Sequence, residues 1–224
     1  MNHGDKLQTE AKNSSVQKTS IFMPRQNKLD WKLNPESNRI LIIAFDIETA
    51  FGNELSEIYQ IGAFSSESDK ILVNILPIGN IHWGVTKFAG TNVTTLVDKN
   101  GRKMLWHNKE KREIEAIDPN AGFKMFVDWL ESQKLKNNAE KLVLIAHGNL
   151  DAPCMLNNLG HYGLLERFMS IVDAFGDSMP ILNNKLAAVF ERLYPGQSFD
   201  AHNALADAEA LYKIMLKKRP NKDK

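Results

Sequence analysis

Apolar and polar positions divide the chain sharply. Residues 1–38 are polar, rich in Lys, Asn, Gln and Ser, with neither a two-residue nor a 3.6-residue apolar period, and read as a flexible N-terminal extension. Apolar residues then follow almost without interruption in RILIIAFDIET (39–49), the pattern of a central strand covered on both faces. EIYQIGAF (57–64) and KILVNILP (70–77), joined by the polar SSESD, predict two further strands and, with the first, an antiparallel meander. The stretch 79–118 keeps no period long enough to support an element assignment.

Helical spacing returns in NAGFKMFVDWLES, where Phe123, Phe126, Val127 and Leu130 recur at i, i+3, i+4 and i+7 and Asn120 is a fitting cap. KLVLIAH (141–147) reads as a buried strand. NLDAPCMLNNLG predicts a short helix with Asn149 near its start, Pro153 in its first turn and Gly160 past its end. FMSIVDAF (168–175) reads as one more strand. NNKLAAVFERL is a helix striped by Leu186, Val189, Phe190 and Leu193 and stopped by YPGQS, and a last helix runs from about 203 to 217. A run of strands followed by alternating strands and helices predicts an α/β three-layer domain over 39–217, a mixed central sheet flanked by helices, ahead of a basic tail at 218–224. In such sheets ligands gather at the carboxyl ends of the strands.

Charge changes this picture little. A net charge of +1 over 224 residues leaves no global basic footprint for nucleic acid, so a polyanion has to be bound locally. KIMLKKRPNKDK (213–224) and GRKMLWHNKEKRE (101–113) are the basic candidates, each equally readable as solvated surface. The single cysteine, Cys154, rules out an internal disulfide and a multi-cysteine zinc site. No apolar run reaches membrane-spanning length or forms a signal core, so no membrane partner is expected and the expected location is cytoplasmic or nuclear. KKRP reads as a nuclear address or, more simply, as the basic end of a helix.

The acids carry the chemistry. In AHNALADAEAL (201–211), with Asn203 as cap, Ala204, Ala208, Leu211 and Met215 form an apolar stripe, and Asp207 lies on it or at its edge while Glu209 points out toward Lys213. A carboxylate on a packed face is costly unless it is paired or holds a cation. His202 and Asp207 would diverge by about 140° on one helix, so they converge only if His202 precedes it. In FDIET, Asp46 and Glu48 project from one face of a strand at about 7 Å separation and Ile47 from the other, a repulsion that a divalent cation would reverse. Asp151 follows the end of the next buried strand, where it could also serve the amides of a helix start. Four carboxylates with oxygen ligation suit Mg²⁺ or Mn²⁺ better than zinc.

Acids in this order make the sequence resemble the DEDDh group of 3′-to-5′ exonucleases, a ribonuclease H-like family, over about residues 40–216. FDIET is similar to the group's first motif, AHGNLD to its second and AHNALADAEAL to its third, the most specific of the three. The resemblance implies a ribonuclease H-like fold, hydrolysis of single-stranded DNA or RNA from the 3′ end to nucleoside 5′-monophosphates, and two Mg²⁺ or Mn²⁺ as cofactors. Residue by residue it implies that Asp46, Glu48 and Asp207 hold one metal and Asp46 a second, and that Asp151 completes the metal and water network. It also implies that His202 is the general base and that Ile47, Thr49 and Phe51 meet the substrate. AFG stands after FDIET where many members carry Thr-Gly-Leu, so Phe51 either stacks on a base or anchors its loop. The second motif is one residue shorter between His147 and Asp151, and His147 reads as structural. Trp83, Trp106, Lys109, Lys111 and Arg112 make 79–118 either a contact for strand or partner, in a homodimer or a larger complex, or a loop held down by its tryptophans. An inactive nuclease-like module binding nucleic acid or protein is the other class of function, and the five filled positions favour the enzyme.

Overall fold

The computed structural model describes residues 39–218; the expectations for 1–38 and for the tail beyond Lys218 fall outside the described residues. Three strands open the fold: β1 (Ile40–Thr49), β2 (Ile58–Ser66) and β3 (Asp69–Asn74), each antiparallel to the next as the meander reading expects.

The unassigned stretch 79–118 is an ordered insertion. After a single π-helical turn at Val85–Ala89 it forms a second sheet of three antiparallel strands, β4 (Val93–Val97), β5 (Lys103–His107) and β6 (Arg112–Ile114). Val93, Leu105 and Ile114 pack there on Ala50 and Tyr59 of the main sheet. At its neck the chain is clasped: Ile117 donates its amide to Asn74 O at 3.0 Å and accepts from the amide of Leu76 at 2.9 Å. The Glu57 carboxylate takes the amides of Ile78 and Gly79, each at 2.7 Å, and the Lys103 ammonium donates to the carbonyls of Pro77, Ile78 and Gly79.

Helix α1 (Pro119–Lys136) follows, then β7 (Lys141–Ala146), α2 (Asp151–His161), α3 (Leu165–Ile171), β8 (Ala174–Asp177), the short α4 (Met179–Leu182), α5 (Leu186–Leu193) and α6 (Ala204–Lys218). The cap of α1 is Asp118, whose Oδ1 accepts from the amides of Asn120 and Ala121; Pro119, preset for a first helical position, moves the start ahead of Asn120. Gly160 lies inside α2, and the left-handed residue the chain needs after that helix is Gly163. The single strand expected over 168–175 is replaced by the end of α3 and the start of β8. Phe168 and Ile171 sit three apart on one helical face, and Asp173 ends the run by accepting the Leu142 amide at 2.8 Å.

The main sheet has the order β3-β2-β1-β7-β8, with β1, β7 and β8 parallel. Ile43, Phe45 and Ile47 of β1 face α1, α2 and α3, and Ala44 faces α5 and α6 in a separate core. These are the three layers of a ribonuclease H-like fold. Two-residue alternation along β1 then fixes a consequence: Asp46 and Glu48 must share the face that α6 covers.

Candidate active site

Helix α6 comes down on β2 unusually closely. Gly62, paired with Asp46 across the strands, leaves the space: a Cβ there would lie 2.1 Å from the carbonyl carbon of Ala204 and 2.2 Å from the amide of Leu205. Gln60, paired with Glu48, accepts the Ala204 amide on its Oε1 at 2.8 Å and donates from Nε2 to Asn74 at 2.8 Å. Asn203 caps the helix by accepting from Leu205 and Ala206. Among the described residues, Asp46, Glu48 and Asp207 form the one group of this kind, with an oxygen of each within 4.8 Å of the others.

Like charges crowded in a dry place hold their protons. Burial, then the charges of Asp151, Asp207 and Glu48, push the Asp46 carboxyl well above the usual range. Burial and Asp207 push Glu48 up to about 8 against the relief of its bond from Tyr59, and Asp207 is pushed up to about 7, mainly by burial. Asp151, raised to about 6 by burial, stands outside the trio, with its Oδ1 accepting the Ile47 amide at 3.3 Å. Its charge is nonetheless the largest acting on Asp46. A divalent cation with oxygen ligands is what such an array can hold.

His202 precedes α6, as its spacing required, in the left-handed region at φ 67°. Its amide donates to Asp207 Oδ2 at 2.8 Å, and its Nδ1 is 4.0 Å from Glu48 Oε1. The ring lines a cleft of about 240 Å³ with Gln60, Asn74, Asn92, His107 and Arg112, within reach of water. His147 commits both ring nitrogens elsewhere, to the Ser178 hydroxyl and the Asn184 carbonyl, each at 2.9 Å.

The residues assigned to substrate divide in two. Ile47 puts its side chain into the core, and buried Thr49 accepts the Gly52 amide at 3.1 Å, so both support the end of β1 from inside. Phe51 is 51% exposed and begins a row of rings, 5.7 Å from His82, which is 5.5 Å from the 62%-exposed Trp83. Lys87 lies over Trp83. Trp106 is half-buried on β5, and Lys109 and Lys111 sit in the exposed turn before β6, where Arg112 pairs with Glu110. Tyr59, Gln60, Gly62 and Thr91 were not singled out from the sequence. A glutamine and a glycine inside the apolar run IYQIGAF were the signal available for two of them.

Sheet order, layers and the acid trio at the end of the central strand define a ribonuclease H-like domain. The chain belongs to the family of the Exuperantia RNase H-like domain, whose model matches residues 40–196, a stretch that holds Asp46, Glu48 and Asp151 and stops before His202 and Asp207. It is similar to the maternal protein exuperantia of Drosophila virilis, 28% identical over 149 residues, and to that of Drosophila melanogaster, 30% identical over 149 residues. Each match covers 65% of this chain but only 30% and 27% of the respective relatives. Among the described residues, no helix is long and apolar enough to cross a membrane.

Proposed function

We propose that residues 39–217 are a metal-dependent 3′-to-5′ exonuclease domain that releases nucleoside 5′-monophosphates from the 3′ ends of single-stranded DNA or RNA. One observation carries this reading: three partly buried, mutually repelling carboxylates converge at a strand end beside a histidine within reach of water. Asp46, Glu48 and Asp207, with Asp151 behind them, would hold two Mg²⁺ or Mn²⁺. When bound, such ions supply charge stabilisation to the phosphodiester and to the leaving 3′ oxygen. The chain's own residues do the rest. His202 takes the proton of the attacking water as its oxygen bonds to phosphorus and the bond to the 3′ oxygen breaks. An imidazole is matched to that task near neutral pH. Asp207 holds the His202 amide, so the turn bearing the base is fixed by a metal ligand.

The row Phe51–His82–Trp83, with Lys87 beside it, supports a single strand as substrate, since bases stack on aromatic rings and the phosphates between them meet the ammonium. Phe51→Ala and Trp83→Ala should each raise KM for a single strand about fivefold or more, with kcat nearly kept. Steady-state kinetics on strands with and without abasic positions near the 3′ end checks this. A ring that stacks loses its effect when the base it meets is absent, and an effect that ignores the base assigns that ring to loop packing.

Purified protein incubated with 5′-labelled single-stranded DNA and RNA of one sequence, in Mg²⁺, Mn²⁺ or EDTA, tests the activity. A ladder that shortens from the 3′ end, needs the metal and disappears in Asp207→Ala is the expected result. Binding without cleavage of either strand would replace the enzyme by a nucleic-acid-binding module.

A further inference from the structure

The insertion reaches the acids through a line of hydroxyls. Tyr59 is fully buried on β2, and its Oη donates to Glu48 Oε2 at 3.3 Å. That leaves the phenol no second proton, so the 2.8 Å contact between Tyr59 Oη and Thr91 Oγ1 is donated by Thr91. Thr91 is itself buried, and its Oγ1 accepts from the amide of Val93, the first residue of β4, at 3.4 Å. The bonds therefore all run one way, from the backbone of the inserted sheet through two hydroxyls to one oxygen of Glu48. The neighbouring Gly90, at φ 83°, lies against the His202 ring, 3.5 Å from Cδ2 and Nε2 to where its Cβ would stand.

We infer that Tyr59 and Thr91 are positioning residues that hold Glu48 in the orientation that receives a divalent cation, which makes the 79–118 insertion a working part of the site. This rests on the metal-dependent reading above. A carboxylate gripped at Oε2 has lost its rotation, and Oε1 is left 4.0 Å from His202 Nδ1, on the side of the base. A packing role alone would ask for a ring at position 59 and a β-branched residue at 91. The hydroxyls themselves would then be dispensable, and buried hydroxyls without partners are costly. Outer hydrogen-bond partners of metal ligands typically account for about 10–100-fold in metal affinity.

The test is Mn²⁺ titration of the full chain by calorimetry, with Tyr59→Phe, Thr91→Val, Thr91→Ser and the Tyr59→Phe/Thr91→Val pair, each checked for folding by its melting in EDTA. Tyr59→Phe should bind Mn²⁺ about 10–100-fold more weakly. Thr91→Val should shift affinity the same way by less, and Thr91→Ser should restore it. The pair should be no weaker than Tyr59→Phe alone, because Thr91 acts through Tyr59. Wild-type affinity in both single variants overturns the relay, and strictly additive losses overturn its serial order. Should Tyr59→Phe fail to fold, the contrast between valine and serine at 91 decides. If the wild type binds no Mn²⁺, the metal-dependent reading itself fails and takes the relay with it, an outcome separate from variants that match a binding wild type.

Discussion

Asp207→Asn should melt at a higher temperature than the wild type at pH 8 in EDTA and, on the proposed function, hydrolyse nothing. Both halves follow from one carboxylate. Asp207 is held up to about 7, chiefly by burial, in a trio with Asp46 and Glu48, so at pH 8 its charge is a cost to the metal-free fold. An amide keeps an oxygen for the His202 amide and removes that charge. The expected rise in melting temperature is on the order of 5 °C. The pH course has a definite sense. Glu48, Asp207 and Asp151 are raised from their ordinary 3.8–4.5 to about 8, 7 and 6, so the folded chain binds these protons more tightly than the unfolded one. Their stabilisation is therefore complete below about pH 4 and drains away as pH climbs through 6 to 8. Wild-type protein without metal should melt lower at pH 8 than at pH 5 and Mn²⁺ should return the difference at pH 8, whereas Asp207→Asn should respond little to Mn²⁺ and keep only the smaller pH dependence of Glu48 and Asp151. With Asp207 a metal ligand, as proposed, its loss should remove several kcal/mol of transition-state stabilisation, about 10³-fold or more in rate. Calorimetric melts over this pH range together with the strand-cleavage assay check the pair of effects. A variant less stable than the wild type at pH 8 in EDTA would show that Asp207 serves the fold and not a cation.

Gly62→Ala should abolish metal binding by moving a helix. The new methyl would stand 2.1–2.2 Å from main-chain atoms of Ala204 and Leu205, and a backbone cannot turn aside as a side chain does. The start of α6 has to lift, which breaks the 2.8 Å bond from Ala204 to Gln60 and carries Asp207 away from Asp46. Overpacking of this kind costs about 1–3 kcal/mol of stability. The site should suffer more than the fold, because cation binding tolerates only tenths of an ångström. Gly122→Ala is the control. Its methyl would come within 2.7 Å of Ile75 Cγ1 in the core on the α1 side of the sheet, so whatever stability it costs, the start of α6 stays in place and Mn²⁺ affinity should stay as it was. Equal losses of affinity in the two variants would refute the argument.

The acids and the elements bearing them were legible because the relevant rules are local. Asp46 and Glu48 share a face by strand alternation, Asp207 falls on the buried side of α6 by helical spacing, and His202 had to lie before the cap. Local patterns also mislead where two periods fit one run. Phe168 and Ile171 suit a strand or a helical face, and only the Asp173 bond to β7 decides. The insertion hid because its short strands pack on Ala50 and Tyr59, outside it in sequence, although Asp98, Asn100 and Gly101 do mark its first turn. Gly62 and Gln60 stand out in their apolar run, but their roles come from standing opposite Asp46 and Glu48 and are legible only with the strand register. Tyr59 and Thr91 meet across 32 positions, a distance no periodicity spans.

The clasp at Ile75–Ile117 also bears on how such a domain diverges. Because the chain leaves and rejoins the main sheet at adjacent points, the length and sequence between them can change without re-registering a single strand of that sheet. Descendants can exchange the ring-bearing rim while inheriting the acids intact, and on the proposed function selection on what is gripped is separated from selection on how it is cut. Gly90 and Thr91 are where that independence ends, so drift at these two positions would be felt as lost turnover and not merely as altered preference.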